Sequence, residues 1–266
     1  MRVAGERAFV LHARPWRETS LLVELLTENH GRVGVLARGV QSARRQAQRA
    51  ALQPWQHIVF DADARGELWT LRSWEALDAA PRHPGDAALA GFYVHELLLR
   101  LLARQDAVPE VYARHAVLRG ELGTLVPLAW CLRRWERDLL DALGLGIDWA
   151  SAAEGEPLDP AARYRIDPEQ GLWRDRSHGA EAARGSALIA LSEDRCPPQE
   201  ELAELRRLLR TAIEHHLGGK PLKAWSLMAE VQRVAGPPLP ASAVAAPVPS
   251  SQRGVDPGQD DAGEGG

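Results

Sequence analysis

An α+β chain is predicted: a small five-stranded barrel comes first, and an all-α C-terminal domain with a small irregular or hairpin insertion follows it. Three observations lead there. From Arg7 to about Ala79 the apolar residues recur with period two, the repeat of a half-buried strand. Beyond Pro81 and Pro84 the period becomes helical, and Leu89, Phe92, Tyr93, Leu97 and Leu101 fall on one stripe. Glycine, proline, asparagine and aspartate sit where the strand patterns break.

Within the first part, strands are expected at roughly 7–13, 20–28, 31–38, 56–61 and 67–76. Val33, Val35 and Ala37 alternate with Arg32, Gly34, Leu36 and Arg38, while Trp69 and Leu71 alternate with Leu68, Thr70 and Arg72. Asn29-His30-Gly31 turns the second strand into the third, and the stretch from Asp61 to Gly66 joins the fourth to the fifth. Between the third and fourth lies GVQSARRQAQRAALQP, a polar, basic excursion. Five strands with one longer insertion after the third is the layout of an OB barrel, and residues 1–80 are assigned to it.

Residues 81–235 are read as the helical domain. Leu125, Leu128, Leu132, Trp135, Leu139 and Leu143 mark a helix that Gly144 and Gly146 stop. Glu96 and Arg100 read as an i,i+4 pair on an outer face, and further helices are expected at about 199–217 and 221–234. The insertion, 147–198, is rich in Gly, Pro and Asp, with a hairpin around Tyr164-Arg165-Ile166 and Leu172-Trp173. From Gly236 onward Pro, Gly and Ser crowd a stretch without aromatics, so 236–266 is expected to be a disordered tail.

With 45% hydrophobic and 26% charged residues the composition is that of a soluble globular protein. The two cysteines, Cys131 and Cys196, make neither a disulfide framework nor a zinc ribbon, and Cys131 falls on an apolar helical stripe. No apolar run is long enough to span a membrane, so a cytoplasmic protein is expected. Gly218-Gly219-Lys220-Pro221 is no phosphate loop, because Pro221 stands where a magnesium-holding Ser or Thr belongs. No motif organises a catalytic set, and neither an enzyme, a cofactor nor a metal is expected.

Charge is more informative. The net −4 divides after Asp78 into eleven basic and nine acidic residues up to and including it and 21 and 27 beyond it, so the front is +2 and the rest −6. Arg32, Arg38, Arg44, Arg45 and Arg49 follow one another without an acid between Glu28 and Asp61, and Arg14 and Arg17 flank the preceding turn. Strand alternation puts Arg32 and Arg38 on one side, and such a stripe suits a polyanionic backbone whose counterions it displaces. Trp16, between Pro15 and Arg17, is the candidate for stacking unpaired bases; Trp69 is expected in the core and Trp55 as a plug at one barrel end. The DNA-binding candidates are therefore Arg14, Trp16, Arg17, Arg32, Arg38, Arg44, Arg45 and Arg49. A second, partner-binding set is Arg133, Arg134, Lys220, Lys223 and Trp225, with a groove of Leu222, Trp225 and Leu227 that would receive an acidic peptide with an aromatic end. The competing reading is an interaction scaffold whose barrel binds protein while the arginines keep it soluble.

The string AFVLHARPWRETSLLVELLTENHGRVGVLARGV, followed by LQPWQHIVFDADARGELWTLRSWE, resembles the N-terminal OB domain of the bacterial recombination mediator family RecO. FYVHELLLRLLARQDAVPEVYARH, AWCLRRWERDLLDALGLGIDW and LGGKPLKAWSLM resemble later segments of that family in the same order, so the likeness covers roughly residues 5 to 235. The resemblance implies a non-catalytic protein that binds single- and double-stranded DNA and anneals complementary strands. It also implies cooperation with RecR in loading RecA onto DNA coated by single-strand-binding protein, and contact with the acidic C-terminal tail of that coat protein. The DNA role passes to Arg14, Arg17, Arg32, Arg38, Arg44 and Arg45, which stand in or beside the matching string. Where some members carry a four-cysteine zinc module, SAAEGEPLDPAARYRIDPEQGLWRD has no cysteine.

Overall fold

In the computed structural model, which describes residues 1–177 and 179–235, period-two alternation becomes a closed barrel. Strands β1 (Arg2–Trp16), β2 (Ser20–Thr27), β3 (Gly31–Ala37), β4 (His57–Asp63) and β5 (Leu68–Ala76) join in the order β1-β2-β3-β5-β4. The β3–β5 pair is parallel and the others antiparallel, the arrangement of an OB fold. Inward residues Val10, Val23, Leu25, Val33, Val35, Ile58, Phe60 and Trp69 are buried, as alternation requires. The tail expected from Gly236 lies outside the described residues.

The basic excursion is more ordered than its polarity suggests. It holds one 3-10 turn, Ala43–Arg45, and a short helix α1 (Gln46–Ala50). Gln41 ties it to the β1–β2 turn, donating from its backbone to the Thr19 carbonyl at 3.1 Å and from its side chain to the Ser20 carbonyl at 2.6 Å. Trp74 on β5 fastens α1 from the other side, its indole donating to the Gln48 carbonyl at 2.9 Å.

Helices α2 (Asp86–Leu101), α3 (Pro109–Glu121), α4 (Leu128–Ala142), α5 (Gly185–Ser192), α6 (Gln199–His216) and α7 (Lys223–Ala235) form the second half. A three-stranded sheet interrupts them: the hairpin β6 (Arg163–Asp167) and β7 (Gly171–Arg174), joined by β8 (Ala183–Arg184). Periodicity does not announce α3, which buries only Val111, His115 and Leu118, or α5, whose GSALIALS is apolar all round. The expected Glu96–Arg100 pair is replaced by two separate jobs. Glu96 accepts from the Lys223 and Ala224 backbone N–H groups at 2.9 and 2.8 Å, capping α7, and Arg100 donates to the Lys220 carbonyl at 3.2 Å.

The halves are joined by aromatic packing. Leu11 and Leu26, pointing out of the barrel, belong to the helical core. Trp55 does so too, so it plugs the helical half and not the barrel end. Its ring stacks on His115 at 5.0 Å and 2° and lies 4.2 Å from His95, and a Cβ on Gly91 would sit 2.8 Å from the indole nitrogen. Arg119 on α3 closes the seam, donating to the Trp55 carbonyl at 2.8 Å and to both Asp78 carboxylate oxygens at 2.7 and 2.9 Å.

Burial lowers the pKa of His115 well below the ordinary histidine value and that of His95 to about 3. The unfolded chain protonates both near pH ~6.5 and the folded chain only far below, so stability is full above that pH and falls as pH drops, by up to about 1.4 kcal/mol per unit for each histidine. Neither His115 nitrogen has a hydrogen-bond partner. His115→Phe is therefore expected to hold or raise stability at pH 7 and to flatten the acid loss by one proton, measured as urea midpoints between pH 7 and pH 4. An unchanged slope in the folded variant contradicts this account of the seam.

Candidate nucleic-acid interface

Strand β3 begins against the helical half and ends away from it. At its start, Gly31 has φ 63, and a Cβ there would stand 1.8 Å from the Asp106 carbonyl oxygen, so both the turn and the packed loop require glycine. Arg32 donates to the Leu99 carbonyl at 2.6 Å, and its own carbonyl accepts from the Gln105 N–H at 2.9 Å. Arg104 reaches over Gly34 to Glu24 on β2 at 2.5 Å, and Gln105 donates to the Gly66 carbonyl at 3.0 Å. The loop between α2 and α3 thus covers the near half of the outer β2–β3 surface. Arg32 does face the same side as Arg38, but it is spent on the helical half; burial, then the Arg104 charge, lower its pKa.

Six residues further along β3, about 20 Å of strand, the surface is open. The register Arg14↔Leu22, Trp16↔Ser20, Leu21↔Ala37 and Leu22↔Leu36 sets Arg14, Trp16 and Arg38 on one outer face. Trp16 is 39% exposed and Arg14 lies 5.8 Å from its ring centroid. Arg17 occupies the turn tip in a left-handed conformation, φ 54. Gln41 anchors the start of the excursion at this edge, and Arg44, Arg45 and Arg49 beyond it are exposed. Arg45 lines a shallow cleft of about 420 Å³ over the outer β4–β5 surface, with Gln48, Asp61, Arg72, Trp74 and Glu75.

Among the described residues, the side chains of Arg14, Arg17, Arg38, Arg44, Arg45 and Arg49 make no hydrogen bond or ion pair. In the helical half Arg104, Arg119, Arg133, Arg134, Arg137, Arg163 and Arg184 meet carboxylates, while the exposed Arg165 and Arg206 side chains do not. Glu18 follows Arg17 in the turn, and Asp61 and Glu75 line the cleft with Arg45. Unpaired cations around an exposed indole can neutralise phosphates while a base stacks.

The second candidate set is not brought together. Arg134 turns to Glu121 and Asp194. Leu222 is fully buried, and Trp225 and Leu227 face different cavities, with Lys223 on the Leu227 side. Lys220 is exposed, three residues before α7 begins. Arg133 and Trp225, however, line one cavity of about 210 Å³ between α2, α4, α6 and α7, together with Tyr93, Leu132, Arg206 and Arg210. At its base Glu136 accepts from Arg133 at 2.5 Å and from the Tyr93 hydroxyl at 2.7 Å; burial raises the Glu136 pKa against the pull of Arg133. Arg133 Nε is buried without a partner, and Arg210 packs 4.2 Å from the Trp225 ring centroid. Arg206 and Arg210 escape the sequence reading, though their i,i+4 spacing beside the core residues Leu205 and Leu209 would have marked them as neighbours at the edge of the buried stripe.

Cys131 is a buried residue of the helical core, and burial, then Glu121, raise its thiol to about 11. Among the described residues no group of three or more His, Cys, Asp or Glu could hold a metal ion, and no helix is long and apolar enough to cross a membrane.

Fold and surface together define an OB-barrel protein with a docked helical domain and an uncompensated cationic end. Residues 1–80 match the family described as "Recombination protein O N terminal" and residues 82–226 the one described as "Recombination protein O C terminal". The chain is 55% identical over 238 residues to a "DNA repair protein RecO" of Xanthomonas euvesicatoria pv. vesicatoria (strain 85-10), covering 88% of this chain and 99% of that one. It is 54% identical over 235 residues to the protein of the same name from Stenotrophomonas maltophilia (strain K279a), covering 87% and 98%. The chain belongs to the RecO family.

The geometry separates two arginines of one strand. Arg32→Ala is expected to lower folding stability by about 1–3 kcal/mol, since it strips the Leu99 carbonyl of its partner, whereas Arg38→Ala changes it by less than about 0.5 kcal/mol. Urea unfolding of both variants tests the division, and equal losses contradict it.

Proposed function

We propose that this chain is a non-catalytic recombination mediator of bacterial DNA repair. It binds single- and double-stranded DNA on the free end of its barrel, anneals complementary strands, and with RecR helps to load RecA onto DNA coated by single-strand-binding protein. It works in the cytoplasm, at the nucleoid during repair. The observation that supports this most is the set of exposed arginines without side-chain partners on the part of the barrel that the helical half leaves open, Arg14, Arg17 and Arg38 beside Trp16 and Arg44, Arg45 and Arg49 on the excursion. The names of its relatives point the same way.

The proposed chemistry is electrostatic. Two strands repel through their phosphates; guanidinium groups that neutralise both lower that barrier, while contacts to the backbone leave base edges free to pair. No bond is made or broken in the protein, so neither ATP nor metal enters. The acidic tail of single-strand-binding protein is assigned to the Arg133–Arg206–Arg210 cavity, whose apolar wall of Tyr93, Leu132 and Trp225 suits an aromatic end and whose unpartnered Arg133 Nε suits a carboxylate. Lys220 and Lys223 lie outside that cavity and take no part in this assignment.

Replacing Arg38, Arg44 and Arg45 together with Ala is expected to lower the slope of log K against log salt for single-stranded oligonucleotide by about 2, at about 0.7 per lost phosphate contact. A folded triple variant with the parent slope contradicts the assignment. In a strand-annealing assay the parent chain is expected to act equally with ATP or chelator present, and the triple variant to anneal several-fold more slowly. Absence of annealing together with salt-insensitive oligonucleotide retention would favour the scaffold reading instead.

A further inference from the structure

The cavity on α7 lies near the C-terminal end of the described residues, and the sequence that follows them has been given no role. Trp225, Met228 and Val231 line it along one face of α7, and the helix ends at Ala235, one turn past Val231. The family match ends at residue 226. From Gly236 to Gly266 the sequence holds four carboxylates, Asp256, Asp260, Asp261 and Glu264, against one cation, Arg253.

We propose that the acidic segment Asp256–Glu264 is a competitor in cis for the Arg133–Arg206–Arg210 cavity. This rests on the reading that the cavity accepts acidic peptides. Charge complementarity supports the match. Three guanidinium groups face two carboxylates in the lining, Asp86 and Glu136; Glu136 is taken by Arg133 and Tyr93, the Arg206 side chain makes no hydrogen bond or ion pair among the described residues, and Arg210 meets Glu214 and the Trp225 ring. An anion arriving there meets the exposed Arg206 guanidinium, which no carboxylate of the described residues pairs.

Length supports it as well. Asp256 lies twenty residues past Gly236, a reach of up to roughly 65 Å, ample for a return to a cavity that starts beside α7. Because segment and cavity belong to one molecule, their encounter is intramolecular, and a weak acidic ligand competes at an effective concentration that a free peptide has to exceed. The consequence is a threshold: one isolated acidic tail is excluded, while many tails displayed along coated DNA displace the segment.

The test uses full-length chains and a fluorescent acidic peptide ending in phenylalanine, read by anisotropy. Four substitutions, Asp256→Asn, Asp260→Asn, Asp261→Asn and Glu264→Gln, are made together in one chain, and Arg206→Glu is made separately in the parent and in that chain. Neutralising the segment is expected to tighten peptide binding by about ten-fold, and Arg206→Glu to weaken it in both backgrounds. Equal affinity of parent and neutralised chain, with Arg206→Glu still weakening both, overturns the competition and leaves the cavity assignment standing. Indifference of both backgrounds to Arg206→Glu overturns the cavity assignment, and the competition with it.

Discussion

The packing of the α2–α3 loop onto the outer β2–β3 surface is the constraint on which the rest depends. Gly31 has no side chain because the Asp106 carbonyl stands where one would be, and Arg32, Glu24 and Gly66 each take a partner from residues 99–105. An OB barrel ordinarily offers that surface along its length. Here half of it is an internal seam, reinforced by the Trp55 stack and the Arg119–Asp78 fork. Any polymer bound by the barrel is thereby confined to the other half.

That division gives the charges their meaning. A buried or half-buried guanidinium must meet an acceptor, because an unpaired charge out of water is costly. The buried and half-buried arginines of the helical half, Arg119, Arg133, Arg134, Arg137 and Arg163, obey this, each answered by a carboxylate. The arginines of the barrel end do not have to, since water solvates them, and they remain available to an outside anion. An acidic chain can hold a cationic surface in this way, with its negative excess lying in the helical half and beyond.

Much of this was legible in the sequence and some was not. Period-two alternation placed five strands because each inward position is apolar and each turn carries its own chemistry, as Asn29-His30-Gly31 does. It also put Arg32 and Arg38 on one side correctly, but alternation has no knowledge of what packs on that side. Trp55 was misplaced for the same reason: a tryptophan after proline is plainly buried, yet the partners that bury it, His95 and His115, lie forty and sixty residues away. Helix α5 hid because uniform burial erases the amphipathic stripe. Lysines bracketing α7 looked like the rim of the Trp225 groove, although Trp225 and Leu227, two positions apart on a helix, cannot share a face.

The central claim is that polynucleotide lies on the far half of the barrel and not across the seam. Photocrosslinking with a bromouracil-substituted oligonucleotide, followed by peptide mapping, measures this directly. The account predicts crosslinked peptides containing Trp16 and residues 38–49, with residues 99–107 unmodified. Crosslinks concentrated in residues 99–107 or in α4 to α6, with the barrel end untouched, would contradict it.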